Sequence, residues 1–220
     1  MAEIMTRPKL TMPETEVAAL HGLYQAARII LEYGPGGSTV MAAEMPGKRI
    51  TSVESDAAWL SKLHGWFAQV PPASMPVLHH GNIGQTRLWG YPAAKESFRR
   101  WPDYVQSVWD LPDFAAPDVV LVDGRFRLAC LLTVALRTVQ PVVVLVDDYI
   151  DRPPYHDPES VLGAPQMIGR CPCGAVVLEI AHCTHCALVP ANDRAKPGKQ
   201  RVIAADHSTL FQRIVAVANG

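Results

Sequence analysis

Ile29-Ile30-Leu31-Glu32-Tyr33-Gly34-Pro35-Gly36-Gly37-Ser38-Thr39 is the stretch on which the fold turns. Its short apolar run reads as a buried parallel strand. An acid follows, then a glycine-rich turn, then Ser38 and Thr39 opening a helix-compatible segment. Glycines let backbone approach a ligand closely, and a helix N-terminus presents free N–H groups, so this order suits a nucleotide-type cofactor in an open α/β sheet. The plainer alternative is a tight strand-to-helix connection with no ligand.

The same grammar repeats downstream. Arg49–Glu54 is a second short strand ending in an acid, and Asp56 caps an expected helix carrying Trp59, Leu60, Leu63 and Phe67. Upstream, Glu14 and Glu16 form the acidic first turn of an amphipathic helix with Val17, Leu20, Leu23 and Tyr24. Pro76–His80 is a weaker third strand. Residues 82–117 form a long aromatic and proline-rich connection, of the kind that in a compact domain usually serves function. Asp118–Asp123 and Val142–Val146 are buried strands separated by a helical stretch through Leu128, Leu131, Leu132 and Leu136; Ala175–Ile180 and Arg201–Ala205 are two further candidates. Strands alternating with helices imply a doubly wound parallel sheet with helices on both faces, and ligands bind outside its carboxyl ends. Four of those ends carry acids: Glu32, Glu54, Asp123 and Asp147-Asp148.

The chain's 220 residues suffice for one medium α/β domain, and a content of 49% hydrophobic against 19% charged residues places it among globular proteins. A formal charge of -1 gives no bulk electrostatic case for nucleic acid or an anionic membrane. No segment reaches the roughly 20 apolar residues that span a bilayer, and the N-terminus does not read as a secretion signal. Cytoplasm is the expected location.

Counting from Gly34, a dinucleotide fingerprint would place glycine where Thr39 stands. Glu-x-Gly-x-Gly with a second acid about 20 residues on instead resembles the first two motifs of class I S-adenosylmethionine (SAM)-dependent methyltransferases. Ser52–Trp59, Asn82–Thr86, Trp89–Pro92, Leu121–Arg127 and Val146–Tyr149 extend the likeness, over roughly residues 14–170, to a group of bacterial methyltransferase-like proteins. The resemblance implies a Rossmann-like, mostly parallel seven-stranded sheet. It implies that Gly34, Gly36, Ser38 and Thr39 pack against the methionine part of SAM, with Glu32 near its ammonium. Glu54 would take the ribose hydroxyls, since a carboxylate accepts two hydrogen bonds from a diol. Asn82 and Ile83 would lie near the adenine, although the group usually has Asp at the first of these positions.

Asp123 and Asp147-Asp148 resemble the triad of magnesium-dependent catechol-type O-methyltransferases, in which Mg²⁺ lowers a substrate hydroxyl's pKa. Those enzymes carry a lysine base where Phe126 stands, and the flanking Arg125 and Arg127 stay protonated. The alternative is that the three acids cap helices or pair with Arg125, Arg127 or Arg152. The arginines, Arg125 among them, are candidates either to hold an acidic substrate or to brace the wall. Trp89, Tyr91, Tyr149, Tyr155 and His156 are candidates for the acceptor pocket, with core packing the simpler fate.

Cys171-x-Cys173 and Cys183-x2-Cys186 bracket an expected strand, as a structural zinc site or as reduced thiols. The expected organisation is therefore a SAM-binding core over 1–170 and a segment over 171–220 that completes the sheet, irregular and zinc-stapled in one reading. The expected function is methyl transfer to a small hydroxylated or acidic molecule, with a homodimer as one assembly. The alternative is a non-catalytic SAM- or S-adenosylhomocysteine (SAH)-binding module with structural zinc.

Overall fold

Seven strands form one sheet in the order β3-β2-β1-β4-β5-β7-β6 in the computed structural model, which describes residues 6–169 and 174–180. The strands are β1 (Ile29–Tyr33), β2 (Arg49–Glu54), β3 (Val77–His80), β4 (Val119–Val122), β5 (Val142–Val146), β6 (Gln166–Met167) and β7 (Val176–Ile180). Five run parallel, and β7 inserts antiparallel between β5 and β6. The expected mostly parallel seven-stranded architecture is thus formed, and β7 draws part of 171–220 into the sheet. Cys171, Cys173, Cys183 and Cys186 lie outside the described residues, as does the strand expected at 201–205.

Among the described residues, six α-helices accompany the sheet: α1 (Glu14–Ala26), α2 (Gly37–Glu44), α3 (Ala57–Gln69), α4 (Trp101–Gln106), α5 (Arg127–Arg137) and α6 (Glu159–Leu162). Alternating strand residues serve two cores. Ile30, Val119, Leu121, Val143 and Leu145 pack with α1, α2 and α3, whereas Leu31, Tyr33, Val120, Val122, Val144 and Val146 pack with α4 and α5. Burial on both faces is why β4 and β5 read as unbroken Val/Leu runs. Each large apolar side chain sealed there contributes about 1.5–3 kcal/mol.

Helix α3 starts as expected, with the Asp56 carboxylate accepting from the N–H groups of Ala58 and Trp59 at 2.9 and 3.2 Å. Helix α5 departs from the expected stripe. Arg127, Cys130, Leu131 and Val134 are its buried residues, while Leu132 and Leu136 are exposed. The polar anchor Arg127 at its start, rather than the leucines, sets its rotation. The long 82–117 connection folds into short helical turns whose aromatics enter the second core. Tyr104 is fully buried there, and its hydroxyl accepts from the Arg125 N–H at 3.2 Å. The segment thereby fixes the loop after β4.

Candidate functional site

The sheet order reverses between β1 and β4, so their following loops diverge to opposite sides and leave a crevice. A cavity of about 900 Å³ lies there. Gly34–Ser38 after β1, Glu54 and Asp56 after β2, Asp123–Arg125 and Arg127 after β4, and Asp147 and Asp148 after β5 all line it. Gly34 adopts φ +95°, and a Cβ on it would come within 2.6 Å of Gly124. A Cβ on Gly124 would in turn lie 2.0 Å from the Tyr104 hydroxyl. Only glycine fits at this crossing, where the two loops share a floor.

The glycine turn is held from three sides. Thr39 Oγ1 accepts from the Gly36 N–H at 3.0 Å, and the Trp59 indole donates to the Pro35 carbonyl at 2.7 Å. Residues 9–13 pass over the start of α2, so close to Gly37 that a Cβ there would meet the backbone of Lys9 and Leu10. Gly36 has open space where a Cβ would stand. Glu54 Oε1 accepts from the N–H groups of Ser55 and Asp56 at 2.6 and 2.8 Å and from the Ser55 hydroxyl at 3.1 Å. Burial raises the Glu54 pKa, and those donors oppose the rise.

Several expected positions sit elsewhere. Glu32 is sealed behind the turn, accepting from the Tyr24 and Ser52 hydroxyls at 2.7 and 2.6 Å, and does not line the cavity. Thr39 is fully buried beneath it. Asn82 is exposed and accepts from the Gly84 N–H at 3.0 Å, while Ile83 is core; neither lines the cavity. The aromatics divide: Trp89 and Tyr91 line it, whereas Tyr149 is core and stacks on His156 at 5.0 Å.

The magnesium expectation for Asp123, Asp147 and Asp148 is not supported. Their carboxylates converge on the Arg127 guanidinium, at 2.9, 3.7 and 3.2 Å. Arg127 is only 6% exposed and also donates to the carbonyls of Asp123, Gly124 and Asp147. The three carboxylates thus already face a fixed cation. Among the described residues, no group of three or more His, Cys, Asp or Glu side chains is arranged to hold a metal ion. The expected alternative, pairing with arginine, is the one formed; Arg152 completes it at 3.0 Å from Asp148.

Sequence reasoning missed Glu16, which α1 delivers to this cluster. It is buried, accepts from the Ala175 N–H at 3.1 Å and lines the same cavity as Asp147 and Asp148. Its signal was present: spaced with Leu20, Leu23 and Tyr24, it falls on the buried stripe of the helix. Burial raises its pKa, as do the charges of Asp147 and Asp148. Asp123 is pushed up to about 8, by burial first and then by Asp147, with Arg127 opposing. Asp123 therefore holds its proton into the neutral range.

Residues 84–93 arch across the opening as a hairpin-like loop. Thr86 bridges Pro92, the Arg87 N–H donates to the Tyr91 carbonyl at 2.7 Å, and the single Ser55 hydroxyl proton is shared between Glu54 Oε1 and the Gly90 carbonyl, each 3.1 Å away. Arg125 lies over the Tyr91 ring at 4.1 Å and forms no ion pair among the described residues. Three non-glycine residues with positive φ, Trp89, Phe126 and Asp148, sit in three loops around this one cavity. Such strain concentrates at functional sites.

No family model and no curated protein matches the chain. Among solved structures it is similar to a methyltransferase-like protein from Silicibacter pomeroyi, at 40% identity over 97% of this chain and 99% of that one, with a TM-score of 0.75. The O-methyltransferase TomG from Streptomyces achromogenes, in complex with SAM, is 18% identical over 79% of this chain and 81% of its own, with a TM-score of 0.56. An O-methyltransferase from Bacillus cereus, in complex with SAH, is 12% identical over 80% and 84%, at 0.57. The last two share the fold. On its 40% identity to the first over nearly the whole of both chains, the chain belongs to the class I SAM-dependent methyltransferase family, within its bacterial methyltransferase-like group.

Proposed function

We propose that this chain binds SAM and transfers its methyl group to a small acidic or hydroxylated molecule. One observation carries the reading: a single cavity joins a cofactor-type wall, Gly34–Ser38 and Glu54, to a wall of carboxyls, Asp123, Asp147 and Asp148, and Arg125, which forms no ion pair among the described residues. The cofactor wall fits SAM. Gly36 opens onto free space, and Glu54 keeps an oxygen beyond the one taken up by Ser55 and Asp56 for a ribose diol. When bound, SAM supplies an electrophilic methyl group.

The chain's own residues supply the rest. Arg125, braced on Tyr91, offers a planar fork of donors to a carboxylate or phosphate on the acceptor. Asp123, whose pKa burial and Asp147 push up to about 8, takes the proton of an acceptor hydroxyl when ionised. Trp89 and the hairpin cover the opening and limit water.

Titration calorimetry with SAH tests the cofactor half, and its failure to bind would end the reading. Release of SAH from SAM in the presence of small carboxylated phenols tests the acceptor half. Asp147→Asn is expected to abolish turnover while SAH still binds. A non-catalytic SAM-binding module would instead show no turnover with any acceptor in the wild type.

A further inference from the structure

In the cavity wall, three carboxyl groups from two strand ends surround one buried guanidinium, an arrangement that methyl transfer as such does not require. Asp123 follows β4, and Asp147 and Asp148 follow β5, while Glu16 of α1 lines the same cavity. Arg127, four residues after Asp123 on α5, reaches back among the three aspartates. Its donors are shared between three backbone carbonyls and three carboxylates, so it is fixed in place rather than free to meet a ligand.

We propose that Arg127 is the built-in cation of this site: it stands where a divalent ion would bind Asp123, Asp147 and Asp148, holds those carboxylates in register, and makes methyl transfer here independent of metal. The inference rests on the reading above only in assigning methyl transfer to this cavity. A divalent ion would need carboxylate oxygens at about 2.0–2.6 Å around a common centre. The guanidinium nitrogens hold that centre already. Arg127 acts as a positioning residue, holding the Asp123, Asp147 and Asp148 carboxylates about one guanidinium. In the transfer itself, the acceptor O–H proton passes to ionised Asp123, an O–C bond forms as the sulfonium S–C bond breaks, and SAH and a proton leave. No redox partner is needed.

The test uses the full chain and follows its melting temperature with and without millimolar Mg²⁺ or Mn²⁺ and after treatment with a chelator. A specifically bound ion at 100 times its dissociation constant would raise the melting temperature by about 5–10 °C. The wild type is expected to move by less than about 1 °C. A shift of the larger size would overturn the proposal. In Arg127→Gln the three carboxylates lose their cation, and Mn²⁺ is expected to stabilise the variant where it leaves the wild type unmoved. A folded Arg127→Gln variant blind to Mn²⁺ would also overturn it.

Should Arg127→Gln fail to fold, the triple variant Asp123→Asn, Arg127→Gln, Asp148→Asn decides. Recovery of folding supports charge compensation, and no recovery means that Arg127 is only a clamp on backbone carbonyls, which sinks the idea. Failures are separable. Absent SAH binding removes the methyltransferase reading, whereas a metal response in an SAH-binding protein removes only this one.

Discussion

Glu54 and Asp123 end strands in the same way, yet the structure gives them different work. Glu54 turns one oxygen to the backbone of Ser55 and Asp56. Glu54→Gln keeps that carbonyl acceptor and replaces the other oxygen with a donor, so stability should change little. SAH affinity measured by calorimetry should fall roughly 10–100-fold, the worth of hydrogen bonds to a charged group. Asp123 instead holds a proton. Its ordinary value is 3.8 and its folded value is about 8, among Glu16, Asp147, Asp148 and Arg127. The folded chain keeps a proton that the unfolded chain has released, so this group's stabilising contribution is complete below about pH 4 and is lost as pH rises through 8. Asp123→Asn should flatten that limb when melting temperatures are compared at pH 5 and pH 8. An unchanged slope would place the proton elsewhere in the cluster. The acids at Glu54, Asp123, Asp147 and Asp148 were legible because strand ends face the crevice in any sheet of this class. Glu32 was not, because a residue two positions before the turn points into the α1 side, where Tyr24 and Ser52 claim it.

Strands and helices were legible wherever a period repeated. The bounds of β2 and β5 match the residues expected: in β5 burial on both faces leaves the apolar run uninterrupted, and in β2 the closing acid marks the strand end. Contacts distant in sequence were hidden. Nothing local in residues 9–13 announces that they cross α2, and nothing near Gly124 announces Tyr104. Element contacts of this kind yield a sharp expectation. Gly124→Ala would set a methyl against the Tyr104 hydroxyl and the Gly34 backbone, costing roughly 1–3 kcal/mol as overpacking and lowering the melting temperature by several degrees. A neutral Gly124→Ala would mean that the two loops do not meet as described. The 84–93 loop behaves differently. It exposes Leu88 (78%) and Trp89 (75%) and hangs by a few hydrogen bonds, so its amides should exchange far faster than those of the central strands.

At the scale of the molecule, the sheet buries its central strands, whereas the 84–93 loop at one edge of the crevice exposes Leu88 and Trp89. Hydrogen exchange on the full chain should show residues 84–93 gaining protection when SAH is added, with β1, β4 and β5 unchanged. Equal exchange with and without SAH would deny the loop a part in covering the site. Among the described residues, no helix is long and apolar enough to cross a membrane. The charge balance of -1 across the chain conceals a local concentration of acid at the end of β5, visible only once α1 and α5 are brought to it. The contact of Gly34 with Gly124 bears on the order of events during a reaction cycle. The two loops touch backbone to backbone with no side chain to absorb movement, so a ligand that stiffens one loop stiffens both. Linkage makes such an effect mutual. Whatever affinity the cofactor lends to an acceptor held beside Arg125, the acceptor must return to the cofactor by the same factor.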